Sequence, residues 1–76
     1  MELALKKRLD KIRKLKEDFN LDQQTIADNC EPKRNRVTVA TVLSGNDERY
    51  LTKSNIEAIE KGIDKILNEY RKKLCN

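Results

Sequence analysis

Histidine and tryptophan are absent from this chain of 76 residues, proline occurs once, glycine twice and cysteine twice, and aromatic residues make up only 4%. Without histidine the commonest acid–base group is missing. No glycine-rich phosphate loop, nucleophile elbow or paired-carboxylate spacing stands out either, so the sequence points away from an enzyme and offers no pocket chemistry for a small-molecule substrate. Cys30 and Cys75, with no histidine beside them, are too few soft ligands for a four-coordinate zinc site, so no metal and no other cofactor is expected. Their spacing leaves a disulfide open. The start "MELALKKRLDKIRKLK" alternates charge with leucine where a secretion signal has an apolar block, which favours a reduced compartment, a small buried thiol at Cys30 and a fraying tail at Cys75. No run of 18 apolar residues exists, so no membrane span is expected, and the predicted location is cytoplasmic.

What is present is charge and rhythm. Charged residues make up 39% of the chain and the net charge is +4, a mild lean toward polyanions shared by many small domains. The apolar residues are nevertheless regularly spaced, which separates the chain from disordered sequences of similar charge. Its length allows one domain, 1–76, that buries about 60% of its unfolded surface, a thin margin that a partner subunit would widen.

Leu5, Leu9, Ile12, Leu15 and Phe19 recur in steps of three and four and predict a first helix over 2–19. Its other face holds Lys6, Lys7, Arg8, Lys11, Arg13, Lys14 and Lys16 against the single acid Asp10. On its own such a stripe reads as a solvated face. Asn20 tolerates the left-handed conformation that ends a helix, and Asp22 is a good N-cap for a second helix over 23–30 with Ile26, Ala27 and Cys30 inward. Pro32 forbids its continuation, so "EPKRN" is a turn. Past the turn "GNDERY", Thr52 as N-cap, with Leu51 and Ile56 as a hydrophobic staple, opens a last helix over 53–74; Ser54 with Glu57 offers a competing start. Ile56, Ile59, Ile63, Ile66, Leu67, Tyr70 and Leu74 mark its apolar face. Gly62 weakens that helix by about 1 kcal/mol relative to alanine, but permits a close neighbour.

The segment "NRVTVATVLSGN" is the ambiguous one. Five of its residues are β-branched (Val37, Thr38, Val39, Thr41, Val42), which by propensity favours a strand. No second strand is visible to pair with it, and an unpaired strand is not stable. As a helix over 36–44, Asn35 is the N-cap, Gly45 the C-terminal stop, and Val39, Val42 and Leu43 share one face. Helix propensity then costs about 2 to 3 kcal/mol, whereas burying two valines and a leucine contributes roughly 5 to 8 kcal/mol as an upper bound. Burial wins. The predicted fold class is therefore all-α, a small domain of four helices, with room for a fifth short one, whose outer helices are long.

A helix that buries Val39, Val42 and Leu43 leaves Val37, Thr38 and Thr41 outside, and β-branched residues there lower helix stability without improving solubility. Something should use that face. Lys33, Arg34, Arg36, Arg49 and Lys53 flank it in sequence, as phosphate-binding cations would flank side chains that discriminate bases. The acids Glu17, Asp18, Asp22, Asp28 and Glu31 cluster in residues 17–32, so most of the second helix should point away from a nucleic acid.

"NLDQQTIADNC" followed by "NRVTVATVLSGN" resembles the helix-turn-helix of the Cro and phage-repressor (lambda-repressor-like) superfamily, with a first helix of the type T-Q-x-x-[LI]-A and a second of the type S-x-x-T-[IV]-S-x-[IL]-x-N-G. "VTVATVLSG" is also similar to the recognition helix of the lac repressor family. The resemblance covers residues 20 to 46 and departs in one place: from Ala27 to Gly45 the chain is two residues longer, all within "CEPKRN". It implies a recognition helix in the major groove, with Arg36, Val37, Thr38 and Thr41 toward base edges, and Gln23 opening the preceding helix at a phosphate. Lys33, Arg34, Arg49 and Lys53 would meet further phosphates, with Tyr50 either another backbone contact or a cover for the core.

The expectation is a sequence-specific regulator of double-stranded DNA, a small repressor of phage or mobile-element type, nucleoid-associated when bound. The apolar stripes of the first and C-terminal helices either pack together within one chain or form a homodimer, the reading favoured here, which would place recognition helices about 34 Å apart on an inverted repeat. The competing expectation is a helical protein-interaction module: an adaptor, an antitoxin-like partner or a phage inhibitor of a host protein on the same scaffold. A third is RNA or non-specific DNA binding by the basic stripe.

Overall fold

A computed structural model describes residues 3–74 as four α-helices with no strand: α1 Leu3–Asp18, α2 Gln23–Asn29, α3 Arg36–Ser44 and α4 Lys53–Leu74, with a 3-10 turn Glu48–Tyr50 before α4. The all-α expectation holds, and the fifth short element is this single turn. Glu2, predicted to begin the first helix, and Cys75 lie outside the described residues. No helix among the described residues is long and apolar enough to cross a membrane.

Local chemistry sets the boundaries. Asn20 takes a positive φ of 51°, which turns the chain after α1. Asp22 then caps α2 by accepting from the Thr25 amide at 3.4 Å. Cys30 leaves the helical region and becomes the C-cap, one residue earlier than its apolar character suggested. Asn35 accepts from the Thr38 amide at 2.7 Å, and Gly45 closes α3 at φ 72°, a conformation that costs glycine little. Of the two starts open to the last helix, Thr52 is the one used: its hydroxyl accepts from the Asn55 amide at 3.2 Å, while Leu51 and Ile56 are both buried.

One core joins all four helices: Leu9 and Ile12 of α1, Ile26 and Ala27 of α2, Val39, Val42 and Leu43 of α3, and Ile56, Ala58, Ile59 and Ile63 of α4. The close α2–α4 packing depends on Gly62. A Cβ there would meet the Ile26 carbonyl oxygen at 3.0 Å and the Cys30 nitrogen at 3.2 Å. α3 packs mainly on α2 and touches α4 and the 3-10 turn along one edge, so its outward side is left uncovered.

The apolar stripes of the outer helices run further than the core. Phe19, read as inward-facing, is 51% exposed because α1 stops one residue before it and the Asn20 turn carries it to the rim. Ile66 and Leu67 are partly buried, whereas Tyr70 and Leu74 are exposed, since the end of α4 projects beyond α1 and α2. The 41 × 23 × 18 Å dimensions reflect that projection.

Candidate nucleic-acid interface

The outward side of α3 is built by the same spacing that builds its inward side. With Val39 and Val42 fully buried, Val37 stands 69% exposed, and Thr41 and Ser44 follow it at i+4 and i+7 on one stripe. Arg36 is exposed at the start of the helix, whereas Thr38 and Thr41, both expected outside, are only partly exposed. The Thr41 hydroxyl donates to the Val37 carbonyl at 2.8 Å, and the Ser44 hydroxyl to the Thr41 carbonyl at 2.7 Å. Both protons are thus directed into the helix; the Ser44 oxygen also accepts from the Asn46 amide at 3.4 Å, which leaves the Thr41 oxygen as the acceptor with no partner in the chain. That matches the amino groups of adenine and cytosine, the donors on the major-groove edges of base pairs. Ser44, with Ala40 beside it, belongs to this face although the sequence reading stopped at Thr41; counting one more turn from Val37 and Thr41 finds it.

The flanking cations differ in what they are free to do. Lys33 and Lys53 are exposed at the starts of α3 and α4. Arg34, expected at a phosphate, is engaged by the chain itself. Its Nε donates to Asn55 Oδ1 at 2.9 Å, its Nη2 to the Ser54 hydroxyl at 2.9 Å, and its Nη1 to the carbonyls of Pro32 and Lys33 at 3.2 and 3.3 Å. The longer turn has brought this guanidinium against the start of α4, where it pins the turn. Asn55 extends the pin by donating to the Tyr50 carbonyl at 2.8 Å, while the Tyr50 ring stays at the surface. Arg49 pairs with Asp47 at 2.9 Å but remains exposed, so a phosphate could compete for it. The hydrogen bond from Arg49 holds the Asp47 carboxyl below its ordinary range, with the Arg49 charge adding to it.

The basic stripe of α1 divides into flanks with different neighbours. On the α4 side, Arg8 forms a bidentate ion pair with Glu60, with Nε to Oε2 at 3.0 Å, and this bond raises the Arg8 pKa. On the α3 side, the Arg13 guanidinium lies 3.6 Å from where a Cβ on Gly45 would stand, beside the last turn of α3. Arg13 and Lys16 line a cleft of about 440 Å³ with Glu17, Asn20, Gln23, Ala40, Leu43 and Ser44. Gln23 is therefore beside the outward face of α3, whereas the acids of α2 are not all remote. Asp28, hydrogen-bonded by Gln24 at 2.9 Å, shares a shallow groove with Lys33, Arg36 and Val37.

A separate apolar groove of about 350 Å³ lies between the α1–α2 corner and α4, lined by Phe19, Leu21, Ile66, Leu67 and Tyr70 with Asp18 at its rim. No group of three or more histidine, cysteine or carboxylate side chains suited to a metal occurs among the described residues. Comparison of the chain with known protein families, curated proteins and solved structures finds no match.

Proposed function

We propose that the protein is a sequence-specific DNA-binding regulator, a small repressor of the phage or mobile-element kind, in which α3 reads base edges. The observation that carries this reading is the uncovered face of α3, where Val37, Thr41 and Ser44 stand outward over a core of Val39, Val42 and Leu43. Val37, 69% exposed on a helix of low intrinsic propensity, offers an apolar surface that matches a thymine methyl. Arg36 supplies a bidentate donor for guanine, and Thr38 and Thr41 supply hydroxyls and methyls. Gln23, Lys33, Arg49 and Lys53 are the phosphate contacts, while Arg34 contributes by holding the turn.

The same reading includes a two-fold dimer. Its support is the groove holding Phe19, Leu21, Ile66, Leu67 and Tyr70, together with the exposed Leu74 and the basic last turn Arg71, Lys72 and Lys73 of α4. Those cations are complementary in charge to Asp18, which lines the groove of a second copy. Two reading heads would square the affinity available to one small module, apart from the cost of dimerising.

A second reading, a helical protein-interaction module, draws on that same apolar groove. Selecting bound duplexes from a random pool, with the protein's mass in solution measured alongside, separates the two. A regulator enriches one inverted-repeat sequence and binds it at least a thousandfold more tightly than random duplex, the lower end of the range for specific DNA binders. A module that acts on proteins enriches none.

A further inference from the structure

We propose that Arg13 and Lys16 of α1 form a phosphodiester-binding clasp beside the C-terminal end of α3, in an open cleft that Gln23, Ser44 and the Glu17 carboxylate also line. This inference rests on the DNA-binding reading of α3 and adds to it two residues of a helix whose basic stripe the sequence reads as a solvated face or as a non-specific nucleic-acid contact, without saying which cations act.

Three observations place the ligand. First, the cleft of about 440 Å³, which Arg13, Lys16, Gln23 and Ser44 line together with Glu17 and three further residues, opens directly beside the outward stripe of α3, since Ser44 belongs to both. Secondly, the cations around α3 are unequally committed. Arg34 is held by Asn55, Ser54 and two carbonyls, Arg49 by Asp47, and Arg8 on the far flank of α1 by Glu60. Among the described residues Arg13 and Lys16 take part in no ion pair. Thirdly, the Arg13 guanidinium lies toward the α3 end, 3.6 Å from the Cβ position of Gly45, on the side where the cleft opens.

The chemistry suits a phosphodiester rather than a base. A guanidinium fork and an ammonium offer charged donors to one anionic oxygen pair, the Gln23 amide adds an uncharged donor, and nothing in that set distinguishes one base from another. The Ser44 hydroxyl, committed to the Thr41 carbonyl, only bounds the cleft. Lys33 lies by the start of α3 and this cleft by its end. A helix of nine residues is about 13 Å long, comparable with the roughly 12 Å width of a major groove, so the two cationic positions suit the two phosphate chains that border it. Glu17, which lines the same cleft, opposes the phosphate and tempers its binding.

The test is a salt titration of binding to a selected duplex and to random duplex, for the full chain and its Arg13→Gln, Lys16→Gln and Glu17→Gln variants. Lys14→Gln, on the solvent side of α1, controls for loss of net charge, and thermal melts confirm folding. Each of the first two substitutions should weaken both duplexes about fivefold to tenfold at moderate salt and flatten the log–log salt slope by about 0.9, with the ratio between duplexes unchanged. Arg13→Lys should retain most of the slope, which a purely structural role for the guanidinium would not produce. Glu17→Gln should tighten both duplexes. Wild-type slopes and affinities in Arg13→Gln and Lys16→Gln, with selective binding intact, would overturn the clasp and leave the α3 reading standing. Absence of duplex binding by the wild-type chain would overturn both.

Discussion

Gly62 on α4 and Ile26 on α2 meet with no room for a side chain between them: a Cβ on the glycine would stand 3.0 Å from the Ile26 carbonyl oxygen. The next two neighbours, at 3.2 and 3.3 Å, are also backbone atoms of α2 and cannot rotate away. Gly62→Ala therefore gains about 1 kcal/mol of helix propensity but must push two helices apart, an overpacking cost of about 1 to 3 kcal/mol. The expected result is a lower midpoint in chemical denaturation for Gly62→Ala and a much lower one for Gly62→Val. A more stable alanine variant would show that α2 and α4 are less tightly joined.

Asn35 tests whether α3 is held at its start by a single local bond. Its side chain accepts from the Thr38 amide at 2.7 Å, and replacing it by alanine should cost about 1 kcal/mol. In a domain of this size that corresponds to a fall in melting temperature of about 4 to 8 °C. Asn35→Asp, which keeps the acceptor and adds charge of the sign favoured at a helix start, should melt close to the wild type.

Much of this was legible because caps and stops are local. Asp22, Asn35, Gly45 and Thr52 each act on a backbone group within three residues, and Asn20 acts through its own φ. The inward side of α3 was legible as well, because a valine pair and a leucine at three-four spacing can be buried only one way. Phe19, Tyr70 and Leu74 misled because periodicity reports which face a residue shares, not whether another element reaches that far along the helix. Arg34 misled for a different reason: its partners Ser54 and Asn55 lie 20 and 21 positions away, and no local rule pairs them. Arg13 was hidden among the lysines of one stripe, and only the fold shows which of these cations faces α3.

Arg34 and Lys33 are adjacent in sequence and should behave as opposites. Arg34→Ala removes four hydrogen bonds that tie the α2–α3 turn to itself and to α4, and should destabilise the fold by about 1 to 2 kcal/mol. Lys33→Ala should leave stability within about 0.5 kcal/mol while weakening all duplexes alike. Paired melting and binding curves check both. If Lys33→Ala lowered stability and Arg34→Ala did not, the pinning role would be misassigned.

Cys30 makes stability depend on alkaline pH. Its thiol is buried, donates to the Ile26 carbonyl at 3.1 Å, and has its pKa raised by desolvation, only partly offset by the Arg34 charge. The folded state therefore holds the proton where the unfolded chain releases it. The contribution is complete below the ordinary thiol pKa and is lost as pH rises through the raised one. In a Cys75→Ser background, Cys30 should react with a disulfide reagent only as fast as the protein opens, and melting temperature should fall with pH above the ordinary thiol range. Rapid labelling at neutral pH under native conditions would contradict the buried position.

The account turns on the outward face of α3 making contact with bases. The most direct measurement is the ratio of affinities for a selected duplex and a random one, determined at fixed salt for the wild type and for Arg36→Ala, Thr38→Ala and Thr41→Val. Each substitution at a base-contacting position should lower discrimination by about 1 to 3 kcal/mol with little change in random-duplex affinity, and the lost preference should map to particular base pairs. Equal losses on both duplexes, or no change on either, would contradict the assignment of that face to base recognition.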